Sequence, residues 1–437
     1  MRGLRQTVTA QVVLLIIMSL AGSAVSADET RFQPPFDTVR SVVESEPLVL
    51  SEVLSLVATS NPSLRALDWQ NEAARGRLKQ AGLWPNPELG AEIEEFGWDA
   101  PGAKESEITL SLAQKFELFG QRGARKGVAQ AEIDATATQT KILAYDLYLD
   151  TKRRFYTLVH AQQRLVLSTT SEELARDVVE NIKLRITKGA ALQSEILLAK
   201  LEVQRAQLIL EEAQQEVMSA QVDLAALWNA ATTEISVDAD PEPELTGILG
   251  RVSSLQAEID STRTIIGLDR QSAILRAKKS LAGAEARPSV TLSGGYKRLE
   301  ANNSNSLIFG VSLPLPFFNR NQGTRESLEA ELRSLDYEID RARLETVSGL
   351  RSNSLKLEQL VKRHYDLDSL LLPTVEEAYK TLQSAYKAGR VPYTQLLEAQ
   401  RSLNELHFEH NNMLLEIHEQ IITLEALTGV TLRIDKE

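Results

Sequence analysis

Few residues of this chain have the types and spacing needed for chemistry. Three of its five histidines, His407, His410 and His418, fall close together in one apolar-periodic stretch. At helical spacing His407 and His418 share a face, while His410 sits on the apolar seam. Such a trio could hold a divalent metal, but no His-Glu-x-x-His pair and no tight carboxylate cluster accompanies it. His410 is therefore expected to be a packed side chain, and no bound metal is expected. The chain has no cysteine, which excludes disulfides, thiolate metal sites and cysteine nucleophiles. It has four methionines, counting Met1 and Met18, too few to suggest a thioether relay for a soft cation. A phosphate loop and a Gly-x-Ser-x-Gly elbow are both missing. The expectation is a protein that is not an enzyme and uses no cofactor.

What the chain does have is length, charge and pattern. Its 437 residues carry 48 Lys+Arg against 60 Asp+Glu. Arg2 and Arg5 begin a basic start, Val12 to Leu20 form a short apolar run, and Val25-Ser26-Ala27 ends in small residues. That layout predicts a secretory signal peptide over 1–27, cut near Ala27. Removing Arg2 and Arg5 leaves 46 bases against 60 acids, a formal charge of −14. An acidic chain disfavours nucleic acid as a partner and favours cations. No later window reaches the ~20 apolar residues of a transmembrane helix, so any membrane passage must use strands. Without a cysteine, no lipidated N-terminus is expected either.

The elements that would position functional residues occur twice. Lys188-Gly189-Ala190-Ala191-Leu192 is matched by Ala388-Gly389-Arg390-Val391-Pro392, an offset of 200 between the glycines. After Gly189 a seam runs Ile196, Ala199, Val203, Ala206, Leu210, Ala213, Val217, Ala220, Leu224, Leu227. After Gly389 it runs Leu396, Ala399, Leu403, Leu406, His410, Met413, Ile417, Gln420, Leu424, Leu427, each shifted by the same 200. A 3-4 alternation over about four heptads predicts coiled-coil helices. The stretches before each glycine, roughly 122–187 and 324–387, contain Pro373 as their one proline, and predict helices of ~100 Å. The glycines are then turns at one far end.

Upstream of each long helix the period changes to two. Leu307, Phe309, Val311, Leu313, Leu315 and Phe317 alternate with other residues. So do Val290, Leu292, Gly294 and Tyr296, and Ile108, Leu110, Leu112, Phe116 and Leu118. Strands are expected at about 86–98, 106–118, 288–299 and 305–318, the first of them placed by the repeat because it alternates poorly. The organisation is then a polar lead-in (28–46), a first repeat (47–230), a linker (231–250), a second repeat (251–430) and a tail (431–437). Strands of ~10 residues with one apolar face fit an outer-membrane barrel wall. Hydrocarbon tolerates no open sheet edge, and four strands cannot close alone, so subunits must share the barrel. Two copies would supply eight strands and three would supply twelve, and the long helices favour the wider ring. Lys115, Glu117 and Lys297 are expected to face water.

These features resemble the TolC family of outer-membrane efflux channels over about residues 48–430. The resemblance rests on Asn61-Pro62, on Gly82-Leu83-Trp84-Pro85-Asn86-Pro87-Glu88-Leu89, and on the two glycine turns with their seams. The stretch Leu313-Pro314-Leu315-Pro316-Phe317-Phe318-Asn319-Arg320-Asn321-Gln322-Gly323 is similar to the CzcC branch, which serves heavy-metal efflux. Phe116-Glu117-Leu118-Phe119-Gly120-Gln121-Arg122 is its counterpart in the first repeat. The fold implied is mainly α with a transmembrane β-barrel part. It is a trimeric 12-stranded barrel, four strands per chain, continued by a long α-helical barrel across the periplasm. The implied partners are two further copies, outer-membrane lipid, a periplasmic adaptor and an inner-membrane resistance-nodulation-division pump. The implied function is a gated passive duct exporting divalent heavy-metal cations. A drug-efflux or type I secretion duct of the same fold is an alternative, as is a periplasmic coiled-coil structural or adaptor protein.

The resemblance also implies site residues. An acid six residues after the first glycine, Glu195, would accept a hydrogen bond from a tyrosine three before the second, Tyr386. The family arginine two after the second glycine falls on Val391, so Arg390, one residue earlier, is the candidate here. Acids six and nine after that glycine narrow the family's entrance; these positions hold Gln395 and Glu398, so Glu398 is the surviving one. The tips Thr187, Lys188, Gly189, Ala190, Ala191 and Leu192, with Lys387, Ala388, Gly389, Arg390, Val391 and Pro392, are the expected adaptor contacts.

Overall fold

The computed structural model describes residues 47–95, 106–189, 191–230, 233–238, 245–254 and 262–432. The signal peptide, the lead-in, Ala190, most of the tail and part of the expected linker lie outside them.

The first repeat opens with helices α1 (Leu50–Ser60) and α2 (Pro62–Ala81). Asn61 separates them and caps α2: its Oδ1 accepts from Ser63 N–H at 2.8 Å, and Pro62 fills the first position, where no N–H is needed. Its Nδ2 donates to the Leu227 carbonyl at 2.7 Å, tying the start of the repeat to its end.

Strands β1 (Glu88–Glu94), β2 (Glu107–Phe116), β3 (Val290–Leu299) and β4 (Ser304–Ser312) form one antiparallel sheet in sequence order. The β2–β3 pairing joins the two repeats, with Leu110 opposite Tyr296 and Leu112 opposite Gly294. Opposed residues share a face. One face therefore collects Leu89, Ala91, Ile93, Ile108, Leu110, Leu112, Leu292, Tyr296, Leu307, Phe309 and Val311. These large side chains are open, Phe309 at 82 % exposure. Both edges, β1 and β4, are unpaired among the described residues.

The strands are shorter than expected. β4 ends at Ser312 because Pro314 and Pro316 have no N–H to give a ladder; the chain leaves the sheet there and bends at Phe317 and Phe318, with the Phe317 N–H bonded to the Leu315 carbonyl at 2.9 Å. β1 ends at Glu94, and the remainder of its expected span, 96–98, falls outside the described residues. Glu117 does not belong to a strand. It lies past β2 and pairs with Arg125 through both oxygens, at 2.6 and 2.8 Å.

The long helices begin in the same way in both repeats. Gly120 and Asn321 hold left-handed φ values of 87° and 55°. The next residue, Gln121 or Gln322, turns its Oε1 back to accept the N–H of Phe119 (3.1 Å) or Arg320 (2.8 Å). Glycine and asparagine tolerate that conformation best, which explains their place in the two motifs. Helix α3 (Gln121–Thr187) is 67 unbroken residues, about 100 Å long. It packs along α4 (Gln193–Ala225), whose Ala199, Ala206, Ala213 and Ala220 are buried at seven-residue spacing and let the helix axes approach.

The expected linker contains structure. Leu48 and Val237 form a parallel bridge, and α5 (Leu245–Ser254) inserts Ile248 and Val252 into a core with Leu357, Leu360 and Leu432. Helix α6 (Arg263–Glu285) precedes β3, and α7 (Gln322–Asp366) follows β4. The second long helix is not continuous. A π turn over Leu367–Leu371 separates α7 from α8 (Leu372–Lys387), with Leu372 N–H bonded to the Leu367 carbonyl five residues back. Pro373 is the cause: it offers no N–H to the Ser369 carbonyl, and the ladder absorbs one extra residue. Helix α9 (Tyr393–Thr428) returns and buries Leu396, Leu403, Met413, Ile417 and Leu424 of the seam.

Candidate gate and docking tips

At the far end of the helices the two turns meet. Gly189 and Gly389 hold φ values of 67° and 73°, the left-handed closure that lets each helix reverse. Beside them Tyr386 is 3 % exposed and packs against Tyr393 at 5.9 Å between ring centroids. Its Oη donates to Glu195 Oε2 at 3.0 Å, joining α8 to α4. Burial, and then the Glu195 carboxylate, push the phenol up to about 12, against the opposing pull of Arg185. It therefore stays protonated and a donor at physiological pH.

Arg185 completes the cluster, and sequence reasoning missed it. Its guanidinium lies 4.2 Å from the Tyr386 ring centroid, and its Nη1 donates to the Tyr386 carbonyl at 2.6 Å. The arginine was expected at Arg390. That side chain is exposed and takes no part in the contact; only its backbone N–H is engaged, with Ala385 O at 2.9 Å. The physical reason is reach, because Arg185 lies one turn below Gly189 and its long side chain arrives under the neighbouring tip. The spacing from Gly189 alone could have flagged it. Glu398 is exposed on α9, away from the cluster, and Gln395 is likewise exposed.

Above the tyrosines, Glu202 of α4 pairs with Arg401 of α9 and with Arg205 at 2.9 Å. Lys188, Lys387 and Arg390 are exposed at the tips, as is Leu192.

The three histidines occupy three separate environments. His407 faces Glu376 at 3.9 Å, and His410 packs on His364 with Asp368 3.8 Å away. His418 stacks on Tyr156 at 3.9 Å between centroids, beside His160. No group of three metal-capable side chains forms among the described residues. Burial, then the neighbouring His160 and Lys152, hold His418 down to about 3. A histidine buried neutral stabilises the fold fully above its unfolded value of about 6.5, and that contribution fades as pH falls towards 3. Thermal melts followed by far-UV ellipticity should show this loss, up to about 1.4 kcal/mol per pH unit. His418→Phe, which keeps the stack on Tyr156, should flatten that dependence.

Comparison with known proteins settles the class. Residues 53–230 and 269–430 match the family model described as outer membrane efflux protein. The chain belongs to that family. It is 27 % identical over 397 residues to the cobalt-zinc-cadmium resistance protein CzcC of Cupriavidus metallidurans, covering 88 % of this chain and 90 % of that one. Protein CyaE of Bordetella pertussis is 23 % identical and covers 93 % of this chain and 88 % of its own. Among solved structures, CusC superposes with a TM-score of 0.71 at 16 % identity, covering 89 % of this chain and 96 % of its own. VceC of Vibrio cholerae gives 0.69 at 18 %, with 88 % and 97 % covered. The fold is thus that of the TolC-type channels, with the sheet as a share of the barrel wall. The two repeats of the family match correspond to the two halves joined at β2–β3.

Proposed function

We propose that three copies of this chain form a passive outer-membrane duct for divalent heavy-metal cations, gated at its helical tips. It would work with a periplasmic adaptor and an inner-membrane resistance-nodulation-division pump that supplies the energy. The name of the CzcC relative supports the cargo. The family supports the location and the class of partner.

The observation that carries the reading is the chemical split between the two sheet faces. One is a continuous apolar surface open to its surroundings. Both unpaired edges would cost several kcal/mol per orphaned backbone group in hydrocarbon, so neighbouring copies must cover them. Four strands from each of three copies make twelve. Beyond β4, exposed Leu313, Leu315, Phe317 and Phe318 suit the lipid interface, where aromatic side chains anchor barrels. The opposite face holds Glu88, Glu92, Glu94 and Glu107 against Lys115 and Lys297. Lys297 itself bridges Glu94 and Glu107. That leaves an excess of two acids per chain towards the channel, a field that favours cations.

Two measurements test this. The purified trimer in a planar bilayer under a potassium chloride gradient should show a cation-selective reversal potential. A strain lacking the gene should lose resistance to cobalt, zinc or cadmium while keeping its tolerance of hydrophobic drugs. An anion-selective pore, or loss of drug tolerance alone, would defeat the assignment of cargo.

A further inference from the structure

The start of the first long helix holds more positive charge than its neighbours match. Arg122, Arg125 and Lys126 stand at i, i+3 and i+4 on α3, so they share one face. All three meet the loop that leads from α2 into β1. Arg122 Nε donates to the Gly82 carbonyl at 2.5 Å, and its guanidinium lies 5.2 Å from the Trp84 ring centroid. Arg125 Nη2 reaches the Leu83 carbonyl at 3.5 Å. Lys126 is exposed and runs beside Gly82, its Cδ 3.7 Å from where a Cβ on that glycine would stand. Two acids act on Arg125: Glu117, held through both oxygens, and Glu285, which forms no ion pair with it. Glu88, at the end of the same loop, belongs to the polar sheet face. Among the described residues no carboxylate forms an ion pair with Arg122 or Lys126. Cations at this end also oppose the helix dipole, and the first turn of α3 contains no acid. The cluster lacks an anion.

The side of the sheet on which it lies identifies that anion. Phe116 has the same parity on β2 as Ile108, Leu110 and Leu112, so it belongs to the apolar face. The Trp84 ring meets Phe116 edge-on at 6.4 Å between centroids, and Trp84 is half exposed. The two unmatched cations therefore border the apolar surface at its helical end, with the indole between them and the sheet. In a membrane-embedded barrel that level is the periplasmic headgroup region, where indole rings settle and cationic side chains reach phosphate. The second repeat has the same order. Exposed Phe317 and Phe318 precede exposed Arg320 and Arg325, with Glu326 as the neighbouring acid and none in the first turn of α7. We infer that Arg122 and Lys126, beside Trp84, bind the phosphate of an anionic phospholipid, phosphatidylglycerol, in the periplasmic leaflet. Arg122 keeps its two terminal nitrogens for the phosphate, since Nε is committed to Gly82, and Lys126 adds a mobile ammonium. The inference rests on the barrel reading and gives the barrel a lipid class and a site for it.

The test is native mass spectrometry of the full-length trimer in detergent, titrated with phosphatidylglycerol, phosphatidylethanolamine or inorganic phosphate. The wild type should retain phosphatidylglycerol about tenfold or more in preference to phosphatidylethanolamine. The double variant R122Q/K126Q should lose most of that preference while remaining trimeric and conducting in bilayers. Lys126→Gln alone should lower it about threefold. That side chain makes no hydrogen bond among the described residues, so the single variant stays readable if the Arg122 change disturbs the loop. Lys141→Gln, about 22 Å further along α3, should leave the preference unchanged. Equal retention of the two lipids, or a preference that survives both variants, overturns the inference. So does binding of inorganic phosphate without any lipid preference, which would make the cluster a water-facing anion site. A conducting trimer with no such preference removes this inference alone. A soluble monomer that takes up no lipid removes the barrel reading with it.

Discussion

Tyr386→Phe should raise the resting conductance of the trimer in planar bilayers. The substitution keeps the ring in its pocket against Tyr393 and removes only the hydroxyl that donates to Glu195. Hydrogen bonds to charged groups contribute about 1.5–3 kcal/mol, and Glu195 is half-buried, so the lower end applies. That shifts the closed-to-open balance about tenfold in each protomer. Glu195→Gln, which keeps size and loses charge, should act in the same direction with a smaller effect. Arg185→Ala should also open the tip, because it removes both the contact with the ring and the bond to the Tyr386 carbonyl. Arg390→Ala should leave the closed state unchanged. Unaltered conductance in the Tyr386 and Arg185 variants together would remove the latch.

The second large effect lies deep between α3 and α9. Lys152 Nζ meets Glu425 Oε2 at 2.6 Å, with the Glu425 side chain at 0 % exposure. The other oxygen, Oε1, accepts Leu432 N–H at 2.8 Å, so the carboxylate also fastens the chain after α9. Lys152 lies 5.6 Å from the Tyr148 ring centroid. Arg263 continues the network, reaching Asp146 and the Ala426 carbonyl from α6. Removing one partner leaves a buried charge with no counter-charge, at a cost of about 3–5 kcal/mol. Lys152→Met alone should therefore lower the melting temperature sharply and reduce trimer yield. Lys152→Met combined with Glu425→Leu should recover most of that loss, since an apolar pair of similar volume replaces the ions. A single variant as stable as the wild type would show that the pair contributes little.

The parts legible from the sequence are those written into short-range period. Fourteen of the twenty seam positions are buried and the other six half-buried, because a coiled-coil stripe is a local property of each helix. The strand β1 was harder to read. Leu89, Ala91 and Ile93 do alternate with Glu88, Glu92 and Glu94, but extending the window to Trp98 blurs the pattern. Strand ends were read too long wherever alternation continued past a proline, as it does through Leu315 and Phe317. The less legible features are pairings across the fold. Arg185 meets the backbone of Tyr386 across 201 positions, and Lys152 meets Glu425 across 273. Nothing local to either residue announces its partner. The resemblance placed Glu195 beside Tyr386, where the hydrogen bond lies, but not Arg185, which holds the tyrosine within the chain.

The extra residue at Leu367–Leu371 makes the two halves mechanically unequal. In the first half a single uninterrupted rod runs from the barrel to its tip. In the second the corresponding member carries a π turn about a quarter of the way back from its tip, where the regular ladder is spliced ahead of Pro373. Departures from the α pattern of this kind are where helices bend. A push delivered at the tips is then resisted by one stiff strut and relieved at one joint in each subunit. In the proposed ring of three, rods and joints would alternate, so the tips would yield more readily than the part near the membrane.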